Sequence, residues 1–179
     1  MKRLFFGFSI LLISIGFSGC GDSIDTVKDG TMSFNKTITV GEAFDNWNNC
    51  QKSEWETFET DNKIKVVQFT CFQRDVKEYM SKVKNFLSKK EQAEASYLDI
   101  VSNAQIFQFT INKDDTFQID NVQVETVWSD GKKFSDSLKI MPQLESVYGN
   151  EITFNVNEFN KMLAAQMGYV FKLSKIRAK

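Results

Sequence analysis

The residues with the strongest claim to chemistry are acidic. Asp114-Asp115, with Asp120 a few positions on, could act as a carboxylate pair in glycoside hydrolysis or as oxygen ligands for calcium. Two carboxylates at a tight hairpin are also ordinary turn residues that stay in water. The EF-hand pattern Asp-x-Asp-x-Asp-Gly is absent. Glu54, Glu56 and Glu59 lie along one predicted strand, where Glu54 and Glu56 share the solvent side and protect an edge. The chain has no histidine. That excludes a Ser-His-Asp triad, a Cys-His dyad and the common histidine zinc sites, and it removes the usual switch between about pH 5 and 8. No glycine-rich phosphate loop, Ser-x-x-Lys or Gly-x-Ser-x-Gly motif occurs. No catalytic residue, metal site or cofactor is therefore expected. Trp47, Trp55 and Trp128 are the candidate binding surface, as the lining of a sugar or peptide groove, although tryptophan at such positions is commonly core.

Three cysteines remain: Cys20, Cys50 and Cys71. Lys2 and Arg3 precede an uncharged apolar run, Leu4 to Phe17, then Ser18-Gly19-Cys20. As helix that run reaches about 21 Å, short of the ~30 Å hydrocarbon core, so it describes a secretory signal rather than a membrane span. The boundary resembles the lipobox of bacterial lipoproteins, with Phe17 where the family most often carries leucine. The resemblance implies a diacylglyceryl group on the Cys20 thiol, cleavage before Cys20 by signal peptidase II, and a membrane partner through the anchor. Two or three acyl chains hold a soluble domain on a bilayer stably. Gly21, in place of the aspartate that favours inner-membrane retention in enterobacteria, implies the outer membrane. With Cys20 assigned to lipid, Cys50 and Cys71 are left in an oxidising compartment, and a structural disulfide is the expectation. It would contribute about 3 kcal/mol in the chain-entropy model.

The elements that must position these residues follow from composition and pattern. Aromatics make up 13% of the chain, with 17 phenylalanines, enough for a substantial core. One proline and nine glycines argue against a long disordered stalk. A formal net charge of −1 gives no electrostatic case for nucleic acid. The expected organisation is a signal segment over 1–19, the lipidated cysteine with a polar tether over 20–31, and one domain over 32–179.

Within that domain, Phe34 to Val40 suggests a short extended piece. Glu42 to Asn49 suggests a two-turn helix capped by Thr39 or Gly41. Asp61-Asn62-Lys63 separates two β-rich runs as a hairpin. Thr39–Trp47 and that hairpin also resemble stretches of small bacterial lipoproteins to which no activity attaches. Val76, Tyr79, Met80, Val83, Phe86 and Leu87 give an apolar stripe to a helix over 74–90. Its other face, with Lys77, Lys82, Lys84, Lys89 and Lys90, could touch anionic headgroups or simply be solvated.

Alternation through 105–128 predicts strands, with a phase shift near Asp120-Asn121 that suggests a bulge. Asp130-Gly131 suits a type I′ turn. Helices are expected over 142–148 and 159–168, with a last strand over 169–173. The class is α+β: a twisted antiparallel sheet with helices mainly on one face and one disulfide.

These features lead to a lipid-anchored binding or assembly module of the cell envelope, acting on an envelope protein, a secreted protein or a wall polymer. An inhibitor, immunity or exclusion lipoprotein belongs to the same class. A carboxylate-based envelope hydrolase and a carrier of small apolar ligands are the alternatives.

Overall fold

The computed structural model describes residues 20–179, and the signal-segment expectation lies outside the described residues. The elements are α1 (Cys20–Asp29), α2 (Val40–Asp45), β1 (Cys50–Glu59), β2 (Lys65–Gln73), α3 (Val76–Asn85), α4 (Lys89–Glu94), β3 (Ile100–Ile111), β4 (Phe117–Trp128), β5 (Lys133–Ser137), α5 (Ile140–Tyr148) and α6 (Lys161–Arg177). A 3₁₀ turn, Ser96–Leu98, precedes β3.

The five strands form one antiparallel meander in the order β1-β2-β3-β4-β5. The α+β expectation holds, with its antiparallel sheet, its helices and its Cys50–Cys71 bond. Pairing slips between Gln108 and Phe109, leaving Asp120 unpaired between Ile119 and Asn121, where the phase shift pointed. Strand alternation therefore sends Trp55, Phe69, Phe107 and Val122 to one side of the sheet, and Glu56, Gln68, Gln108 and Asn121 to the other.

The first side holds two apolar clusters. Under α1, α2 and α5, Phe44 is the hub, with the rings of Phe69, Phe107 and Phe109 at 5.0, 5.0 and 5.6 Å. Beneath α3, the 3₁₀ turn and α6, Tyr79, Met80, Leu98, Trp128, Phe154 and Phe171 form the second. Between them the sheet is polar: along β3 the buried side chains run Phe109, Phe107, Gln105, Asn103 and then Ile100.

Local chemistry explains where the helices start and stop. Thr39 and Glu42 form a capping box, with Glu42 N–H donating to Thr39 Oγ1 at 3.1 Å and Thr39 N–H to Glu42 Oε2 at 2.8 Å. The helix expected over 74–90 is two. α3 ends at Asn85, and Ser88 with Glu91 makes a second capping box that starts α4. The expected tether is also corrected. Residues 20–29 are helical, and Ile24 and Val27, one turn apart, pack into the first cluster, with Val27 fully buried. The polar residues between them hid that stripe.

The expected last strand is helix as well, because α6 continues through Gly168 to Arg177. Gly168 is buried within the helix, where a Cβ would meet Val83 and Leu98 at ordinary contact distances of 3.7 and 3.8 Å, and it does not terminate α6. The apparent alternation of Tyr169, Phe171 and Leu173 arises because α6 is apolar on two sides.

Candidate functional site

The three tryptophans do not line a common groove. Trp47 is buried in the first cluster and donates its indole N–H to Glu151 O at 2.9 Å. Trp128 is buried in the second and donates to Tyr97 O at 2.9 Å. Trp55 is half-buried on β1, with its N–H on Asp45 Oδ1 at 2.8 Å and Lys28 Nζ 5.6 Å above its ring. Each indole nitrogen is bonded internally, and the buried rings of Trp47 and Trp128 serve packing.

Cys50 and Cys71 are bonded, with Cα atoms 5.1 Å apart. The link staples β1 to β2 beside the irregularity at Gln51, and does not reach back to α2. The helix ends at Asp45 and a turn intervenes.

The acidic residues are likewise engaged with near neighbours. Asp114 accepts from Thr116 Oγ1 at 2.6 Å and from Thr116 N–H at 3.2 Å, bonds that hold its carboxyl below the ordinary range. Asp115 occupies a left-handed turn position, and Asp120 accepts from Gln118 Nε2 at 2.8 Å. Glu54 pairs with Lys52, and Glu59 with Lys63 at 3.0 Å. No cluster of metal-ligating side chains forms among the described residues. Of the basic face expected on α3, Lys84 pairs with Asp99 at 2.8 Å and Lys82 donates to Val156 O at 2.9 Å. Two clefts, about 520 Å³ between the β1–β2 and β3–β4 hairpin tips and about 430 Å³ beside α3, open to solvent between lysine and aspartate side chains.

The buried polar belt between the clusters is a structural joint. Gln73 Nε2 donates to Gln105 Oε1 at 3.1 Å and to Thr153 Oγ1 at 3.2 Å, and Gln105 Nε2 donates to Gln143 Oε1. Asn103 Nδ2 donates to Thr126 Oγ1 at 2.7 Å, and Asn49 Oδ1 accepts from Thr153 N–H at 2.8 Å. Amides and hydroxyls bond one another here, except that Asn49 Nδ2 is buried without a partner among the described residues.

Two surfaces remain uncovered. On the open side of the sheet, in-register residues of four strands form a row. Asn121 Nδ2 donates to Gln108 Oε1 at 3.1 Å, Gln108 Nε2 to Gln68 Oε1 at 2.7 Å, and Gln68 Nε2 to Glu56 Oε1 at 2.5 Å. All three bonds run the same way and end on a carboxylate. Around the row lie half-buried Phe72 and Ile106 and the buried Val66, Thr70 and Ala104, none of which joins either core cluster. At the in-register positions of β2, β3 and β4 on this side, Glu125 is the single charged residue among those described. A trace was present in the sequence, since "VVQFTCFQ" and "AQIFQFT" place glutamine or threonine where exposed strands commonly carry lysine or glutamate.

The second surface is the outer side of α6. Met162, Tyr169 and Ile176 are 72%, 64% and 75% exposed, and Leu163, Val170 and Leu173 are exposed beside them. The opposite side of the same helix, Ala164, Gly168 and Phe171, is buried. Exposed Phe86, with Lys161 Nζ 4.5 Å from its ring centre, extends the patch toward α3.

No family model, curated protein or solved structure matches the chain.

Proposed function

We propose that the chain is a lipid-anchored module of the cell envelope that binds or assembles through surface contact and catalyses no reaction. On this reading Cys20 carries the acyl anchor, and the outer membrane is the address. The observation that carries the contact role is the charge-poor centre of the sheet's open side, on β2, β3 and β4, which is rimmed by Lys52, Glu54 and Glu56 on β1 and by Lys133 on β5. In a chain of which 25% is charged, a plain solvated sheet would carry lysine and glutamate there. Depletion of charge, with apolar and aromatic side chains near the centre, marks the core of an interface. The amide row offers aligned donors and acceptors that suit peptide groups or sugar hydroxyls. The client is accordingly an envelope protein, a secreted protein or a wall polymer. A rigid face braced by a disulfide also suits an inhibitor, immunity or exclusion lipoprotein, which would use the same surface to block its partner.

The test is a photo-crosslinking amino acid placed at Ile106 in the native host, with Lys139, exposed outside the sheet, as the control position. One stoichiometric envelope adduct from position 106 and none from 139 is the expected result. No specific adduct, together with wall-hydrolysing activity in the purified chain, would overturn the proposal. The anchor is tested separately: fatty-acid labelling should mark the wild type and not Cys20→Ser.

A further inference from the structure

The outer side of α6 is too apolar to be an ordinary solvated surface, and we infer that it rests on an anionic bilayer. Met162, Tyr169 and Ile176 are one heptad apart, with Gln166 and Leu173 between them, and form a straight seam about 21 Å long. Because Ala164, Gly168 and Phe171 already occupy the domain's own core, no rotation of the helix can bury both sides. A helix apolar on two opposite sides buries one against its own core and leaves the other in want of a cover.

Charge selects that cover. Every side chain from Lys161 to Lys179 that is charged at neutral pH is basic: Lys161, Lys172, Lys175, Arg177 and Lys179. Lys175 is held by Asp130 at 3.0 Å and Arg177 stands 3.8 Å from Asp136, while Lys161 and Lys172 border the seam. A second copy of the chain would set these like charges against each other along the contact, whereas anionic headgroups complement them.

Size points the same way. One helix side of this length and about 10 Å across offers far less than the ~800 Å² per partner that stable protein complexes bury. A bilayer requires only that the apolar side sink about 5–10 Å into the headgroup boundary. The inference rests on the proposed anchor, which would make this second contact intramolecular and so effective at modest intrinsic affinity. The link from the anchor to the domain is short, since α1 is helical from Cys20 and locked into the core by Val27. With the helix layer against the membrane, the open side of the sheet is left for the client.

The experiment is vesicle flotation with unlipidated Cys20→Ser chain beginning at residue 20, a chain that contains both core clusters. Vesicles of phosphatidylglycerol and phosphatidylethanolamine are compared with phosphatidylcholine alone. Binding to the anionic vesicles should be at least about tenfold tighter and should weaken in about 0.5 M salt. The Tyr169→Asp/Ile176→Asp variant, altered only at exposed positions, should lose binding and keep the wild-type melting temperature. Equal or absent binding to the two vesicle types, or a folded double variant that binds like wild type, would overturn the inference. A concentration-dependent dimer abolished by the double variant would reassign the seam to a second copy. Since the probe carries no lipid, failure here leaves fatty-acid labelling of Cys20 untouched, and failed labelling leaves this result standing.

Discussion

Tyr148 shows how one side chain can be right for its place and wrong by one atom. Its ring packs edge-on against Phe34 at 5.0 Å, yet its hydroxyl is buried without a hydrogen-bond partner among the described residues. Burial pushes its pKa up to about 12, because the phenolate would be desolvated. The folded state therefore favours the neutral form. Its contribution is complete below the unfolded value near 10 and is lost as pH rises toward 12. Tyr148→Phe keeps the ring and deletes the unsatisfied group, so it should stabilise the protein by about 1 kcal/mol in urea unfolding at neutral pH. It should also blunt the alkaline loss of stability. A destabilised variant would mean that the hydroxyl has a partner after all.

At the scale of elements, one turn design is used three times. Thr60 N–H bonds Ile64 O at 2.9 Å, Asn112 N–H bonds Thr116 O at 2.8 Å, and Trp128 N–H bonds Lys132 O at 3.0 Å. The residue before each closing position, Lys63, Asp115 or Gly131, has φ of 63°, 59° or 82°. These are three-residue loops, a type I turn followed by a left-handed residue, so the type I′ expectation at Asp130-Gly131 gives way. Nothing lies within 4 Å of a Cβ built on Gly131, and only the backbone conformation is at stake there. Left-handed geometry costs a non-glycine residue about 1–2 kcal/mol, partly offset by about 0.4–1 for the loss of glycine's freedom in the unfolded chain. Gly131→Ala should thus destabilise by about 0.5–1 kcal/mol, and Lys63→Gly should stabilise by a similar amount, both by denaturant midpoint. Legibility follows the same physics. Hairpins, the bulge at Asp120 and the helix after Thr39 were readable because turn residues and caps act locally. The continuation of α6 was not, since Gly168 is held in the helix by packing that faces Val83 and Leu98, distant in sequence. The amide row was missed because it depends on strand register, and the tryptophans misled because a binding aromatic and a core aromatic have the same spacing.

The whole molecule is two apolar clusters joined by a polar belt, and the belt's chemistry sets how stability responds to pH. Gln73, Asn103, Gln105 and Thr126 do not titrate, and the chain has no histidine. Folding free energy should therefore be level between about pH 5 and 8. The acid limit comes from carboxylates held below their ordinary range: Glu91 by Ser88, Asp114 by Thr116, and Asp130 by its bond to Lys175. A depressed pKa in the folded state means that stability is present above the unfolded value near 4 and is lost as pH falls through the folded one. All three groups are at the surface, so this arm should be shallow. The alkaline arm begins near 10, where the raised pKa values of Tyr79 and Tyr148 come into play. Reducing the Cys50–Cys71 bond should lower the profile by about 3 kcal/mol evenly up to about pH 8, because the crosslink acts on the unfolded chain. Above that the loss should be larger, since the freed thiols ionise in the unfolded chain while Cys71 is buried in the fold. Melting temperature measured from pH 3 to 11, oxidised and reduced, reads both effects together. A step between about pH 6 and 7 would contradict a non-titrating joint, and a reduced profile that converged with the oxidised one at either end would contradict a disulfide that acts on the unfolded chain.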